Sequence, residues 1–219
     1  MAANTSGTFR LDRAAGSLLD AQGRRYDREA GTWHPAREGA AGTFESVDTI
    51  GAATWLQRES GCPRRAPVGV IGPRKATAPQ LAAAEAIGDG LAAMGFVVIC
   101  GGRGGVMEAV CKGAATAGGI TIGLLPDPDD SLANRHVRIA IATGIGEARN
   151  ALIARAALCL MAVGNSFGTL SEVALGRQFG KLVIGLEGAP HVNGVRHVQW
   201  PHEALEAVAR FAVTGARDD

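Results

Sequence analysis

Aromatic residues are scarce in this chain of 219 residues: one tyrosine, three tryptophans and six phenylalanines. A core made largely without them rests on Ala, Val, Ile and Leu, and the 31 glycines suit tight turns and close packing of helices on a sheet. Net charge is nearly absent as well, +1 at neutral pH, which argues against a nucleic-acid groove or a surface for acidic membranes. No apolar run reaches spanning length, and Met1 to Arg10 lacks the apolar centre of a signal peptide, so a cytoplasmic protein is expected. The cysteines Cys62, Cys100, Cys111 and Cys159 form no CxxC pair and read as reduced, mostly buried thiols. The histidines are scattered, and His202-Glu203 lacks a second histidine at zincin spacing, so no metal site is predicted. No Ser, Cys or Lys is marked as a nucleophile.

What is present divides the chain in two. Residues 1–67 hold Trp33, Trp55 and Tyr26, with short alternations at Thr8–Leu11 and Arg24–Tyr26 that predict small strands. A helix is expected over Ser46 to Glu59, with Ile50, Ala53 and Leu56 buried, and Gly61 to Pro67 reads as a linker. From Val68 to residue 219 short apolar runs alternate with helical periods. Strands are predicted at Val68–Ile71, Phe96–Cys100, Ile120–Leu124, Val137–Ala142, Leu158–Gly164 and Leu182–Leu186. Helices are predicted at Thr77–Met94, from Gly105 to about Ala117, at Glu147–Ala157, from Thr169 to Gly180, and at Pro201–Val213. Leu81, Ala84, Ile87, Leu91 and Met94 should share one buried face of the first of these helices. Such alternation predicts an α/β fold, a doubly wound, Rossmann-like parallel sheet with helices on both faces, preceded by a small N-terminal extension.

Three glycine-bearing loops follow strands: Gly72-Pro73-Arg74, Gly101–Gly105 and Gly164–Gly168. A parallel sheet presents all three on one edge, where they can line a single cleft. GGRGGVME is not a dinucleotide fingerprint, because Met107 stands where the last glycine belongs, and no GK[ST] marks a Walker loop. Thr169-Leu170-Ser171-Glu172 fits a capping box, which explains Glu172 about as well as a catalytic role does. Arg149 lies in a first helical turn, where a cation is mildly disfavoured. It reads either as an exposed partner of Glu147 or as a side chain aimed at an anion.

These segments resemble the LOG-like proteins, long mislabelled lysine decarboxylases, whose best-studied members are cytokinin riboside 5′-monophosphate phosphoribohydrolases. The likeness covers Val68 to Leu186. Gly101 to Glu108 is similar to the family's GGxxGLM loop, Glu147-Ala148-Arg149-Asn150 to its xxRK segment, and Gly164 to Glu172 to PGGxGTxxE. The ARN form and the GTLSE ending are most similar to a subfamily of uncharacterised bacterial proteins and molybdenum cofactor carrier proteins. Gly164 replaces the motif proline, Asn165-Ser166 the glycine pair, and Asn150 the lysine.

The resemblance implies hydrolysis of the N-glycosidic bond of a nucleoside 5′-monophosphate, with Arg149 and Glu172 as the catalytic pair and no cofactor. Gly164, Asn165, Ser166, Gly168 and Thr169 would hold phosphate, with Asn150 beside them. Gly72, Arg74, Gly101, Gly102, Gly104, Gly105 and Met107 would wall the cleft. Two alternatives stand beside hydrolysis: a carrier of a phosphate-bearing ligand such as molybdenum cofactor, and a nucleotide sensor. A homodimer or higher homo-oligomer is implied, and the small residues from Val106 to Ala117 would supply a flat contact.

Overall fold

Parallel strands need long crossovers, and helical segments between short apolar runs supply them. The computed structural model describes residues 8–35 and 42–216. Residues 1–7 and 36–41 of the expected N-terminal extension, and residues 217–219, lie outside the described residues. The chain divides into two compact units. One comprises the described residues up to Arg64 together with those from Glu206 onward, and the other is Arg65–Leu205.

The first unit is a five-stranded antiparallel sheet of β1 (Phe9–Asp12), β2 (Ser17–Leu19), β3 (Arg24–Asp27), β4 (Thr32–Pro35) and β5 (Glu45–Val47), in the order β4-β3-β2-β1-β5. Its inward residues are Phe9, Leu11, Leu18, Leu19 and Tyr26. Helix α1 (Thr49–Arg58) starts after Asp48, whose carboxylate accepts the Gly51 N–H at 2.7 Å. It begins later than expected because Ser46 is held in β5, opposite Arg10. Thr49, Ala52, Ala53, Trp55 and Leu56 are buried, whereas Ile50 is only half-buried. The Trp33 indole N–H donates to the Val213 carbonyl at 3.1 Å, and Arg64 Nε donates to that of Ala212 at 2.9 Å. Ala212 and Val213 are thus fastened into this unit.

The second unit holds β6 (Val68–Ile71), α2 (Ala78–Met94), β7 (Val98–Cys100), α3 (Val106–Thr116), β8 (Thr121–Leu125), β9 (Ile139–Ala142), α4 (Arg149–Ala156), β10 (Leu160–Val163), α5 (Phe167–Gln178), β11 (Val183–Leu186) and β12 (Val195–His197). The seven strands form a parallel sheet in the order β12-β11-β10-β6-β7-β8-β9. Right-handed crossovers place α2 and α3 on one face and α4 and α5 on the other. The fold is the expected α/β sheet with helices on both faces. Strand β12 was not anticipated. Helix α6 (Pro201–Thr214) belongs to the second unit through Leu205 and to the first from Glu206.

Local chemistry sets the helix ends. Thr77 and Gln80 form a full capping box at the start of α2, and Gly95 ends it in the left-handed region at φ 94°. Ala84, Ile87, Leu91 and Met94 are buried as expected, but Leu81 is 37% exposed. The helix turns its Ala83, Ala84 and Gly88 side inward instead. Gly88 and Gly113 let α2 and α3 meet backbone to backbone, since a Cβ on either would overlap a carbonyl oxygen of the other helix. The small-residue face of α3 therefore packs on α2 within the chain and is not the free flat surface that its composition suggested. Strand β9 lies at the sheet edge, with Ile139 46% and Ile141 45% exposed.

Gly105 and Gly118 both have φ 72°, but only a Cβ on Gly105 would meet anything, namely the carbonyl oxygens of Pro73 and Arg74. Gly118→Ala should cost roughly 1–2 kcal/mol through its backbone conformation alone. Gly105→Ala should lower the melting temperature distinctly further, because the overlap adds to that strain. Thermal denaturation checks this, and equal losses would refute the packing argument.

Candidate functional site

Strand order reverses at β6: β7 continues on one side while β10 enters on the other. Such a switch point opens a crevice at the carboxyl ends of the strands. Here it is a cleft of about 530 Å³. Its walls come from the loop after β6 (Ile71, Gly72, Arg74), from Gly101 and Met107 around the loop after β7, from Glu147, Arg149 and Asn150 at the start of α4, and from the first turns of α5.

The loop after β10 turns at Gly164 and reaches α5 through Ser166. The Ser166 hydroxyl accepts the Thr169 N–H at 3.1 Å and lies 2.8 Å from the Thr169 hydroxyl. Ser166 is therefore the cap, and the helix begins at Phe167, two residues before the expected Thr169. The capping box proposed for Thr169 and Glu172 does not form, because Glu172 falls in the second turn, too far in to reach a cap backbone. By position, the N–H groups of Phe167 and Gly168 have no acceptor within the helix. They lie in the cleft wall. The positive end of α5 is thus left open to an anion, with two free donors.

Glu172 faces Arg149, as neither the capping reading nor the exposed-arginine reading required. Arg149 is 4% and Glu172 6% exposed, and Arg149 Nη1 donates to Glu172 Oε1 at 3.3 Å. Burial pushes the Glu172 carboxyl up to about 8; Arg149 draws it down by charge and hydrogen bond, and Glu147 adds to the rise. Burial thus favours the neutral form of the carboxyl, and Arg149 opposes it. Gly101 makes room for the guanidinium: a Cβ there would lie 2.5 Å from Arg149 Nη2 and 2.7 Å from Met107 Sδ. Behind it the free thiols of Cys100 and Cys111 lie 3.5 Å apart. At the rim, Arg74 Nη2 comes within 3.8 Å of Glu147 Oε1.

Asn150 ties α4 to α5. Its amide Nδ2 donates to Ser171 Oγ at 3.0 Å, and Ser171 Oγ donates to the Gly168 carbonyl at 2.7 Å. Asn150 Oδ1 and Arg149 Nε are buried and have no partner among the described residues. An acceptor and a donor are therefore left over on two residues that line the cleft, both atoms lying beneath its surface.

Of the residues expected at the site, Gly72, Arg74, Gly101, Met107, Arg149, Asn150, Ser166, Gly168, Thr169 and Glu172 come together. Gly102, Gly104, Gly105, Gly164 and Asn165 do not line the cleft. The Gly102 carbonyl instead accepts the Asn134 N–H at 2.8 Å. Gly105 packs on the loop after β6, a Cβ on Gly164 would meet the Gln80 amide, and Asn165 is exposed. Ile71, Phe167 and Ser171 were not anticipated as lining residues, and Glu147 was read only as a partner for Arg149. Ser171 stands three residues after Gly168, one turn on, and that spacing was the available signal.

With this geometry in place, the comparisons with known proteins are specific. The SLOG cluster4 family pattern matches residues 65–211. The chain belongs to the SLOG cluster4 family. A molybdenum cofactor binding protein from the phototrophic bacterium Rippkaea orientalis is 36% identical, with a TM-score of 0.63 over 66% of this chain and 96% of that one. The molybdenum cofactor carrier protein of Chlamydomonas reinhardtii is 37% identical, with a TM-score of 0.62 over 67% of this chain and 97% of its own. An uncharacterized protein from Archaeoglobus fulgidus is 39% identical over 138 residues, 63% of this chain and 91% of that protein. The strands β1 to β5 lie outside the family match. No helix among the described residues is long and apolar enough to cross a membrane.

The raised carboxyl has a consequence for stability. Its value in the folded chain, about 8, exceeds the ordinary 4.5, so between these values the folded state holds a proton that the unfolded state has lost. The contribution of this group to stability is thus complete below about 4.5, declines as pH rises, and levels off above about 8. Glu172→Gln removes this decline. The melting temperature of the variant should gain on the native protein from pH 5 to pH 8, and a constant difference across that range would refute the assignment.

Proposed function

We propose that this chain binds a small molecule bearing a phosphate monoester and carries it without chemical change, with molybdenum cofactor, the ligand of the R. orientalis and C. reinhardtii proteins, as the leading candidate. The observation that carries this reading is the open start of α5, whose free Phe167 and Gly168 N–H groups lie in the wall of a cleft that also holds the buried Arg149. The Phe167 and Gly168 N–H groups, the Thr169 hydroxyl and Arg149 supply the phosphate with donors. Asn150 in place of lysine, and Ser166 in place of a glycine, fit a holding site better than a reaction site. The comparisons with cofactor-binding proteins support the same choice.

Phosphate recognition is tested by calorimetry with AMP and adenosine. AMP should bind more tightly, since a helix start favours an anion by roughly 0.3–2 kcal/mol. Equal affinities would remove the cradle. The carrier reading is tested by mass spectrometry of ligand released from the purified protein, which should yield an intact phosphate monoester.

A second reading, hydrolysis of a nucleoside 5′-monophosphate to free base and ribose 5-phosphate, is favoured by the meeting of Arg149 and Glu172 in the cleft. In that case a protonated carboxyl would assist departure of the base. Release of free base from any of a panel of monophosphates, lost in Glu172→Gln, would establish this reading in place of the carrier.

The proposal includes a homodimer or higher homo-oligomer. The family resemblance implies it, and the exposed isoleucines of the β9 edge offer apolar surface for it. Light scattering at micromolar concentration should give at least twice the chain mass of 22.4 kDa, and a monomer would count against it.

A further inference from the structure

Phe167 is 94% exposed, the most exposed large apolar side chain among the described residues, while Phe9 and Phe96 are buried at 6% and 1%. Leaving such a side chain in water forgoes the gain of burying a large apolar surface. Phe167 is nevertheless part of the cleft wall. It is the first residue of α5, directly after the Ser166 cap. Its own N–H is one of the two free donors, and its Cβ tilts towards the helix start, as every helical Cβ does. Ring and anion-binding donors therefore stand at the same end of the helix. Ile71 and Met107 add apolar surface to the cleft. The unpartnered Asn150 Oδ1 and Arg149 Nε lie on residues of the same cleft, 5% and 4% exposed, which leaves its hydrogen bonding incomplete. A phosphate alone would not use the ring.

We infer that Phe167 is a specificity-determining residue, a stacking platform that selects ligands in which a flat heteroaromatic ring is joined to the phosphate through a short linker. This rests on the phosphate-binding reading and narrows its ligand class. Linear or purely saccharide phosphates would satisfy the cradle and leave the phenyl face in water. A ring-bearing monoester covers that face. An aromatic side chain accepts any ring face, so the residue sets the class of ligand.

The test compares AMP with ribose 5-phosphate by calorimetry on the native protein, Phe167→Ala and Phe167→Trp. The native protein should prefer AMP by about tenfold or more, the usual scale of one stacked base. Phe167→Ala should lose that preference by weakening AMP alone, and Phe167→Trp should keep it. If the native protein binds both probes equally, or if Phe167→Ala weakens both alike, the stacking role is overturned while the phosphate cradle stands. If Phe167→Ala keeps the preference but changes the oligomeric state, the ring belongs to a contact between copies, and the inference is likewise overturned. If neither probe binds the native protein, the phosphate-binding reading fails and this inference falls with it.

Discussion

A guanidinium and a carboxyl group buried side by side constrain everything around them. Taking both groups out of water carries a penalty that their mutual attraction repays only with close geometry and further hydrogen bonds. In this molecule the geometry is close, but the bonding is incomplete. Arg149 has one bond to Glu172 and an unpartnered Nε, and burial pushes the Glu172 carboxyl towards its neutral form. The neighbours are fitted to the pair. Gly101 withholds a Cβ from the guanidinium, Met107 closes the space behind it, and the Asn150–Ser171 bond fixes α4 against α5 so that the two partners face each other. An arrangement that leaves polar groups dry and unsatisfied suits a site completed by a ligand better than it suits a structural ion pair.

Much of this was legible in the sequence, for physical reasons. β6 was read to the residue because four consecutive apolar positions bounded by Pro67 and Gly72 leave little freedom. The two ends of α2 were read to within a residue, and the structure shows why they are sharp: Thr77 and Gln80 cap one end and Gly95 closes the other. The start of α5 was misread because two caps compete there. Thr-Leu-Ser-Glu carries the capping-box pattern, whereas Ser166 has only threonine three residues on. The tie is broken by the end of β10, which delivers the chain so that Ser166, extended at φ −160°, can turn its hydroxyl back onto the Thr169 N–H. No local pattern encodes that.

Side-chain partners were less legible than elements. Arg149 and Glu172 are 23 residues apart and meet only because β10 lies beside β6 at the point where strand order reverses. Glycine content was a guide to the sheet edge that forms the cleft but not to each glycine's task. Gly101 serves the arginine, Gly105 serves the loop after β6, and Gly88 and Gly113 serve the crossing of α2 and α3. Phe167 carries no local pattern that tells an exposed ring from a buried one, and its place on the cleft wall comes only from the start of α5.

The path of α6 reaches beyond the site. Ala207, Val208, Ala209, Ala212 and Val213 are buried, and from Glu206 the helix belongs to the unit otherwise built from the start of the chain. Domains generally fold as units and N-terminal first during synthesis. This N-terminal sheet is an exception by its topology, because the ribosome makes the residues from Glu206 onward, which belong with it, only after Arg65–Leu205. Until then Trp33 and Arg64 lack the carbonyls of Val213 and Ala212. The unit Arg65–Leu205 is thus translated as an insertion between two parts of a smaller unit, and the first part must wait, incomplete, for the second to emerge.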